Sequence, residues 1–571
     1  MTTMAAKRKG QENLLLGEGM KRTSGSQARR YNMLAARLIS EMVKGLLGPR
    51  GMDKVLVDIM GEATLTKDGA TFLRKIDVEH PAAKVIIEAS NAVDNAVGDG
   101  TTSVVVLAGA LVANAEELLK LGILPATISD GYSRALAAAM DALLSRAIKC
   151  TNSDRKTMEC LAATCLESKA ISSCIEKKGR IAKFVVDAIL AVSDPASGMV
   201  EIDDVKIEQK LGSVHDTQLV AGVVIDKTVD SSSMPKSIEG ARVLLLDYEL
   251  DKKSMRADAE IGITLPAQIR SYYDEHTFEL RSQVQAIIDS GANVVISRGG
   301  IGTLAQNMLA HAGIMSVRRV KENDLWWLEK ATGAKVTRNL ESISQSDLGY
   351  ARRVCEKLVG DDKMVFVEGC QNPRSVTVLL RAGSSGMLDE FHRSILDALN
   401  VLRDFIASPL VVGGGGAAEA LAARAVRKSA KGVESREQLA MLKFADALEE
   451  IPLTIAANAG MDSIDSQAQL RAAGANDGGE SWPGINALTR KIQDMLSLGV
   501  MEPLAVKEQV LVTAAEVADL LLRVDDVVMA KPVYYTHTHS DGTTHSHRGG
   551  KQAHDHFDRV GKRQRPMHHY Y

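Results

Sequence analysis

Gly98-Asp99-Gly100-Thr101-Thr102-Ser103 lies between two runs whose apolar residues recur at helical spacing, 82–97 and 102–121, and it opens the second of them. Two glycines let backbone N–H groups approach a phosphate. The new helix offers unpaired N–H groups and the positive end of its dipole, and three hydroxyls add donors. Asp99 in such a turn suits a Mg2+ that neutralises the phosphates. The same residues also describe a plain helix corner with Asp99 or Thr101 as N-cap. No Gly-Lys pair in the chain is followed by Ser or Thr, so a Walker A loop is absent and any phosphate cradle is of another kind.

Helical texture extends outward from this turn, over 34–47 and 131–148, with a β-branched interruption. VLVD at 55–58 and ATLT at 63–66 read as two strands around Gly61. Residues 153–193 are helical again. Beyond Gly198, strand runs at 222–225, 242–246 and 293–296 alternate with helices to about Leu380, which predicts an α/β insert with its own core. From Leu388 the helical pattern returns, in LDEFHRSILDALNVLRDFI and EQLAMLKFADALEEIPLTIAANAG. The order helical, strand-rich, helical predicts an all-α domain built from both chain ends, with a second domain inserted between them.

At 571 residues the chain has room for about three or four domains. Its 69 Lys and Arg against 72 Asp and Glu leave no global basic field for nucleic acid or anionic lipid. Six cysteines without a C-x-x-C pair support neither a disulfide framework nor a zinc site, and fit a reducing cytosol. The apolar run 104–113 falls short of the ~20 residues of a membrane span, and the first residues lack a signal-peptide apolar region, so a soluble intracellular protein is expected. Residues 533–571 hold eight of the 13 histidines, among them three H-x-H pairs, and few aliphatics, so a disordered tail is expected there. Neutral imidazoles are good metal ligands, but a flexible segment has no fixed geometry. A pH-dependent cationic lining that contacts substrate protein, and a passive tail, are the other readings.

Three further glycine turns need weighing. Leu47-Gly48-Pro49-Arg50-Gly51 and Lys67-Asp68-Gly69 are, taken singly, ordinary helix-end and turn punctuation. Gly413 to Gly416 precede a helix and satisfy G-x-G-x-x-A with Ala418, and Glu434 stands where a ribose-binding acid would be. A dinucleotide fold needs a second strand before that acid, and REQLAMLKFADALEE continues as helix instead, which excludes an oxidoreductase of that kind.

LLGPRGMDK (46–54), TKDGAT (66–71), EHPAAK (79–84), GDGTTS (98–103), GDDKMVFVEGC (360–370), VVGGGGAAE (411–419), EQLAMLKFADALEEIP (437–452) and EPLAVK (502–507) together resemble the group II chaperonins, the thermosomes and their eukaryotic cytosolic counterparts. The likeness runs in order from about residue 12 to 530 and is closest to the archaeal type. It implies a multidomain α and α/β chain. An all-α equatorial ATPase domain would comprise 1–150 and 405–532, a small α+β intermediate domain 151–219 and 371–404, and an α/β apical domain with a helical protrusion 220–370. Residues 250–285 resemble that protrusion, with Pro266 at the first position of its helix. Such subunits form two stacked rings, of one or several subunit types, that enclose unfolded protein and close a lid on ATP hydrolysis.

Carried over residue by residue, the resemblance makes Asp99 the Mg2+ ligand and Gly100, Thr101, Thr102 and Ser103 the phosphate loop. Leu47, Gly48 and Pro49 form the first phosphate-side turn. Asp397 matches the carboxylate that activates the attacking water, Asp68 a second acid beside the γ-phosphate, and Lys169 the lysine that senses it. Gly414 and Gly415 match the ribose side, Asn486, Ala487 and Leu488 the adenine side, and Glu502 the ribose-binding acid. The implied cofactors are ATP and Mg2+, with a monovalent cation near the nucleotide. Gly45 and Leu46 stand where hydroxyl residues usually precede the first glycine turn, which removes one hydroxyl contact to the nucleotide or that cation. Retention of Asp68, Asp99, Lys169 and Asp397 together argues for a hydrolysing chaperone subunit over a structural or regulatory ring subunit with little hydrolysis.

Overall fold

Pro81 and Pro125 each open a helix at a position where a missing N–H costs no hydrogen bond, giving Pro81–Val97 and Pro125–Arg146. Between them runs Thr101–Lys120, apolar on every side: Val104, Val105, Val106, Leu107, Leu111 and Val112 are all buried. A helix with no polar face belongs at the centre of a core. Its neighbours are Ser26–Lys44 and Pro81–Val97 from the N-terminal part, and Glu437–Asn458 and Leu504–Arg523 from the C-terminal part. The computed structural model describes residues 21–57, 61, 63–169, 178–193, 200–251, 266–340, 343–370, 374–476, 481–529, 534–538 and 544–548, and for 21, 178, 266–276, 476, 529, 534–538 and 544–548 the backbone alone.

Two more cores follow. In one, a mixed seven-stranded sheet runs in the order Met315–Val317, Val294–Ser297, Ser237–Leu246, Gly349–Val359, Asp362–Glu368, Gly222–Ile225, with Val336–Thr337 beside Ser237–Leu246. Its central strands bury Val243 to Leu246 and Val294 to Ile296 against the helices Pro266–Asp289, Thr303–His311 and Glu322–Thr332. In the other, the helices Arg155–Glu167, Lys178–Val192 and Ser385–Ala407 pack on a sheet of Val205–Leu211, Val376–Ala382 and Gln218–Val220. The strand-rich insert enters and leaves at one place, because Gly222 and Glu368 are opposite each other in the ladder.

Several expectations change. The part built from the chain ends is mostly helical but not all-α. Lys54–Val57 pairs with Ala63–Thr66, Leu410–Gly413 pairs with both Met501–Pro503 and Ile148–Lys149, Pro483–Asn486 with Lys491–Asp494, and Lys21–Ser24 with Asp526–Met529. The first pair is the one that VLVD and ATLT predict; the other strands are two to four residues long, too short for their alternation to show in sequence. The helix Thr101–Lys120 is, at 20 residues, long and apolar enough to cross a membrane by length and composition, contrary to the reading of its apolar run as too short. Its side chains are instead spent on the first core. The tail expected to be disordered contains the antiparallel pair Tyr534–Thr538 and Thr544–Arg548, where Thr and Tyr favour strand despite the lack of aliphatics. The rest of the tail after 548 lies outside the described residues. So do 252–265 of the expected protrusion, whose helix begins at Pro266 as the proline predicts. Among the described residues Cys150, Cys160, Cys165, Cys355 and Cys370 are free.

Candidate functional site

The helix Thr101–Lys120 starts on Gly100, whose φ of 82° lies in the left-handed region, and no side chain caps it. Asp99, which could have been that cap, instead accepts the Gly100 N–H at 2.7 Å on Oδ1. The uncapped first turn lies on the wall of a cavity of about 330 Å3, the size of a small-molecule site. A Cβ on Gly100 would come within 2.6 Å of Val510, so glycine is needed here for packing as well as for φ. Uncapped N–H groups, a helix dipole and the hydroxyls of Thr101, Thr102 and Ser103 make this wall a site for anionic oxygen.

Most of the expected site residues line that same cavity: Leu47, Gly48 and Pro49, Asp99 to Ser103, Lys169, Gly415, Asn486 to Leu488, and Glu502. Gly414 stands behind the wall, where a Cβ would approach Glu502 Oε1 to 2.9 Å. Asp68 and Asp397 meet at Lys169, whose Nζ is 2.8 Å from Asp397 Oδ2 and 3.8 Å from Asp68 Oδ1. Asp68 is also the N-cap of Gly69–Lys75, accepting from Thr71 N at 2.8 Å, and it takes a hydrogen bond from Thr101 Oγ1 at 3.1 Å. The acid of the Asp-Gly turn is thereby locked beside the phosphate-side helix.

Three carboxylates, Asp68, Asp99 and Asp397, thus act on one buried ammonium. Burial works against charge on Lys169, but the carboxylates of Asp397, Asp68 and Asp99 outweigh it and hold its pKa well above the ordinary value. Burial opposes ionisation of Asp68 as well; Lys169 and hydrogen bonds from Thr71 and Thr101 prevail and lower its pKa. Asp397 is the group that yields: burial pushes it up to about 8 despite Lys169, and the negative charges of Asp68 and Asp99 add to the rise. An excess of negative charge in a buried pocket calls for a cation. Among the residues whose side chains are described, no three His, Cys, Asp or Glu are gathered to hold a metal by themselves. Mg2+ suits such a place, since it takes one or two carboxylates and completes its shell with phosphate oxygens and water. Asp99 is a carboxylate on the cavity wall, as such an ion would need.

The helix Ser385–Ala407 brings Asp397 in from a distant part of the chain and is tied down along its length. The buried carboxylate of Glu390 accepts from Thr66 Oγ1 at 3.0 Å and Lys67 N at 3.2 Å, Asn400 packs on Gly98, and Arg403 donates to Ala96 O at 2.8 Å. On the opposite side of the cavity Lys507 Nζ sits 2.8 Å from Glu419 Oε1 and 2.5 Å from Glu502 Oε2. Burial raises the pKa of Glu502, with Lys507 opposing. Sequence reasoning missed Glu390, Asn400, Glu419, Lys507 and Cys165, whose thiol burial and then Asp99 push well above its ordinary pKa. Glu419 and Lys507 lie inside the quoted motifs VVGGGGAAE and EPLAVK, so their positions could be read but their pairing could not.

Residues 39–532 match the model of the TCP-1/cpn60 chaperonin family. Thermosome subunit beta of Archaeoglobus fulgidus is 45% identical over 525 residues, covering 91% of this chain and 95% of that protein. The thermosome subunit of Methanopyrus kandleri is 43% identical over 525 residues, covering 91% and 95%. Thermosome subunit alpha of Sulfolobus acidocaldarius is 43% identical over 528 residues, covering 90% and 94%. With a family model matched over most of its length and relatives more than 40% identical at near-complete coverage, this chain belongs to the TCP-1/cpn60 chaperonin family, as a chaperone subunit of its group II branch.

Proposed function

We propose that the chain is the ATP-hydrolysing subunit of a cytoplasmic double ring, built with other chaperonin subunits, which encloses unfolded or partly folded proteins and closes over them. The observation that carries this reading is the meeting of Asp68 and Asp397 on Lys169, which lines one cavity together with Asp99 and an uncapped helix N-terminus. The first core is the equatorial domain (1–150 and 405–532), the helices and small sheet around Ser385–Ala407 the intermediate domain (151–219 and 371–404), and the seven-stranded unit the apical domain (220–370).

In this mechanism the first-turn N–H groups of Thr101–Lys120 and the hydroxyls of Thr101, Thr102 and Ser103 orient the phosphates, which approach Leu47, Gly48 and Pro49 from the other side. Asn486, Ala487 and Leu488 accept the base, and Gly414, Gly415 and Glu502 the ribose. Mg2+ held by Asp99, when bound, supplies charge neutralisation on the phosphates. Asp397 orients the attacking water and accepts its proton, while Lys169, shared by Asp397 and Asp68, reads the presence of the γ-phosphate. A monovalent cation, if one takes part, does so without hydroxyl ligands from Gly45 or Leu46. Ser385–Ala407 belongs to the same core as the sheet that adjoins the apical unit, so movement of that unit would carry the water-activating group with it.

Asp397→Ala should leave MgATP binding nearly intact and lower turnover at least ~100-fold, the scale of losing a general base. Asp99→Ala should weaken binding of the metal–nucleotide complex instead. Steady-state hydrolysis and equilibrium nucleotide binding separate the two, and hydrolysis at the parental rate by Asp397→Ala would sink the assignment.

A further inference from the structure

Among the described residues three lysines line the cavity, Lys67, Lys169 and Lys507. Two of them are balanced by carboxylates of the chain itself. Lys169 is held by Asp397 and Asp68, and Lys507 by Glu419 and Glu502; in both, the carboxylates outweigh burial and raise the pKa. Lys67 is the exception. It is buried, with 7% of its surface exposed, and among the described residues its Nζ makes one hydrogen bond, to Pro49 O at 3.3 Å, and no ion pair. Burial lowers its pKa; the carboxylates of Asp53 and Glu390 oppose the fall without cancelling it, and Lys169 adds to it. An ammonium carries three donors, and a buried one with a single protein partner and no anion in contact is unfavourable. Its placement is nevertheless fixed. The Lys67 N–H donates to Glu390 Oε1 at 3.2 Å, and the two residues that follow press on the phosphate wall: Asp68 accepts from Thr101 Oγ1 at 3.1 Å, and a Cβ on Gly69 would come within 2.5 Å of Thr102 Oγ1. The side chain thus runs from beside the start of Thr101–Lys120 to the turn at Pro49, two sides of one cavity. A cation held there and not balanced by the protein fits an anion that arrives with the ligand.

We propose, resting on the reading of this cavity as an ATP site, that Lys67 is a phosphate-binding residue whose ammonium bridges Pro49 O and a phosphate oxygen of the nucleotide. Pro49 O takes one donor and leaves two for the ligand, so the ammonium is oriented before the nucleotide arrives. Without nucleotide the charge of Lys67 destabilises the subunit, and a phosphate oxygen balances it. A residue that only holds the Pro49 turn would have the opposite effect on stability, which makes the two roles separable.

The test compares the full-length parent with Lys67→Met, which keeps the stem and removes the charge. Titration calorimetry reads MgADP binding, and the unfolding temperature is measured without nucleotide, so neither readout needs turnover. Lys67→Met should bind MgADP at least about tenfold more weakly, the scale of one hydrogen bond to a charged group. Its unfolding temperature without nucleotide should be unchanged or higher, because a poorly balanced buried charge is gone. The proposal is overturned if Lys67→Met binds MgADP as tightly as the parent, or if weaker binding comes with a lower unfolding temperature, the mark of a lysine that only props the Pro49 turn. Parental binding that Asp99→Ala weakens leaves the ATP reading standing whatever Lys67→Met does, whereas a parent that does not bind MgADP overturns that reading and the role of Lys67 with it.

Discussion

Asp397, held against Lys169 on the cavity wall, has its carboxyl pushed up to about 8, and its proposed task requires it ionised. Burial is the first cause of the rise, and the charges of Asp68 and Asp99 add to it while Lys169 opposes it. The sign follows directly. Below the pKa the group carries a proton and cannot accept another from water, so kcat/KM for MgATP should climb about tenfold per pH unit from pH 6 to 7 and level off near pH 8, reporting the free subunit. Removing a neighbouring negative charge makes ionisation easier, so Asp68→Asn should move the inflection down. Lys169→Met removes the only opposing charge named here and should move it up. A flat profile between pH 6 and 8 in the parent protein would show that Asp397 is ionised throughout and that burial does not govern it.

The helix Ser385–Ala407 is the element that turns a sequence-distant carboxylate into part of a cavity. Asn400 lies three residues after Asp397 and so on the same side of the helix, and it rests on Gly98, where a Cβ would come 2.4 Å from its own. Gly98 also has a φ of 69°, which glycine adopts without strain. Gly98→Ala should therefore push the helix off its seat and lower kcat at least about tenfold, since a displacement near 1 Å at a reacting group costs on the order of 100-fold. Adding Asn400→Gly, which removes the colliding atoms, should restore part of the loss. If kcat stays equally low in the double variant, the damage lies in the Asp99 turn and not in the helix. The run LDEFHRSILDALNVLRDFI gives a helix by its spacing and the Asp99 turn a phosphate-suited helix start, because both are local patterns, whereas the turns at Gly48 and Gly415 join the cavity wall only through the family resemblance. Glu390 on Thr66, Arg403 on Ala96 and Lys507 between Glu419 and Glu502 join segments 88 to 324 residues apart or lie across separate elements, and no local pattern encodes a partner at that distance. In the tail, composition says that no core can form, but it does not exclude the described strand pair 534–538 and 544–548, which needs only strand-forming Thr and Tyr.

At the scale of the whole molecule, one chain makes three cores by threading the middle one through a single doorway. Gly222 and Glu368 face each other across the ladder, so the seven-stranded unit begins at Gly222, just after the strand Gln218–Val220 of the other sheet, and ends at a neighbouring position, and the surrounding chain need not deform to accommodate it. Its core of Val243 to Leu246, Val294 to Ile296 and their helices draws on residues of that unit alone. The contacts that cross the doorway are mainly polar: Lys206 Nζ to Asp324 Oδ1 at 2.6 Å, Lys330 Nζ to Asp204 Oδ1 at 2.5 Å, and Trp327 Nε1 to Asp203 O at 2.7 Å. A smaller apolar seam joins Val220 and Leu379 to Val224, Cys355, Val359, Met364 and Phe366. Cutting the polar contacts returns charged groups to water, where they are well solvated, so most of the loss falls on that seam. Residues 220–370 expressed alone should thus fold as a monomer and unfold in one cooperative transition. For about 150 residues the heat-capacity change should be about 2 kcal/mol/K. Scanning calorimetry reads both properties, and near-ultraviolet dichroism of Trp326 and Trp327 reports whether the packing is fixed. A fragment that aggregates, or that melts without a heat-absorption peak, would show that the inserted core depends on the rest of the chain and that the doorway is a shared part of the fold.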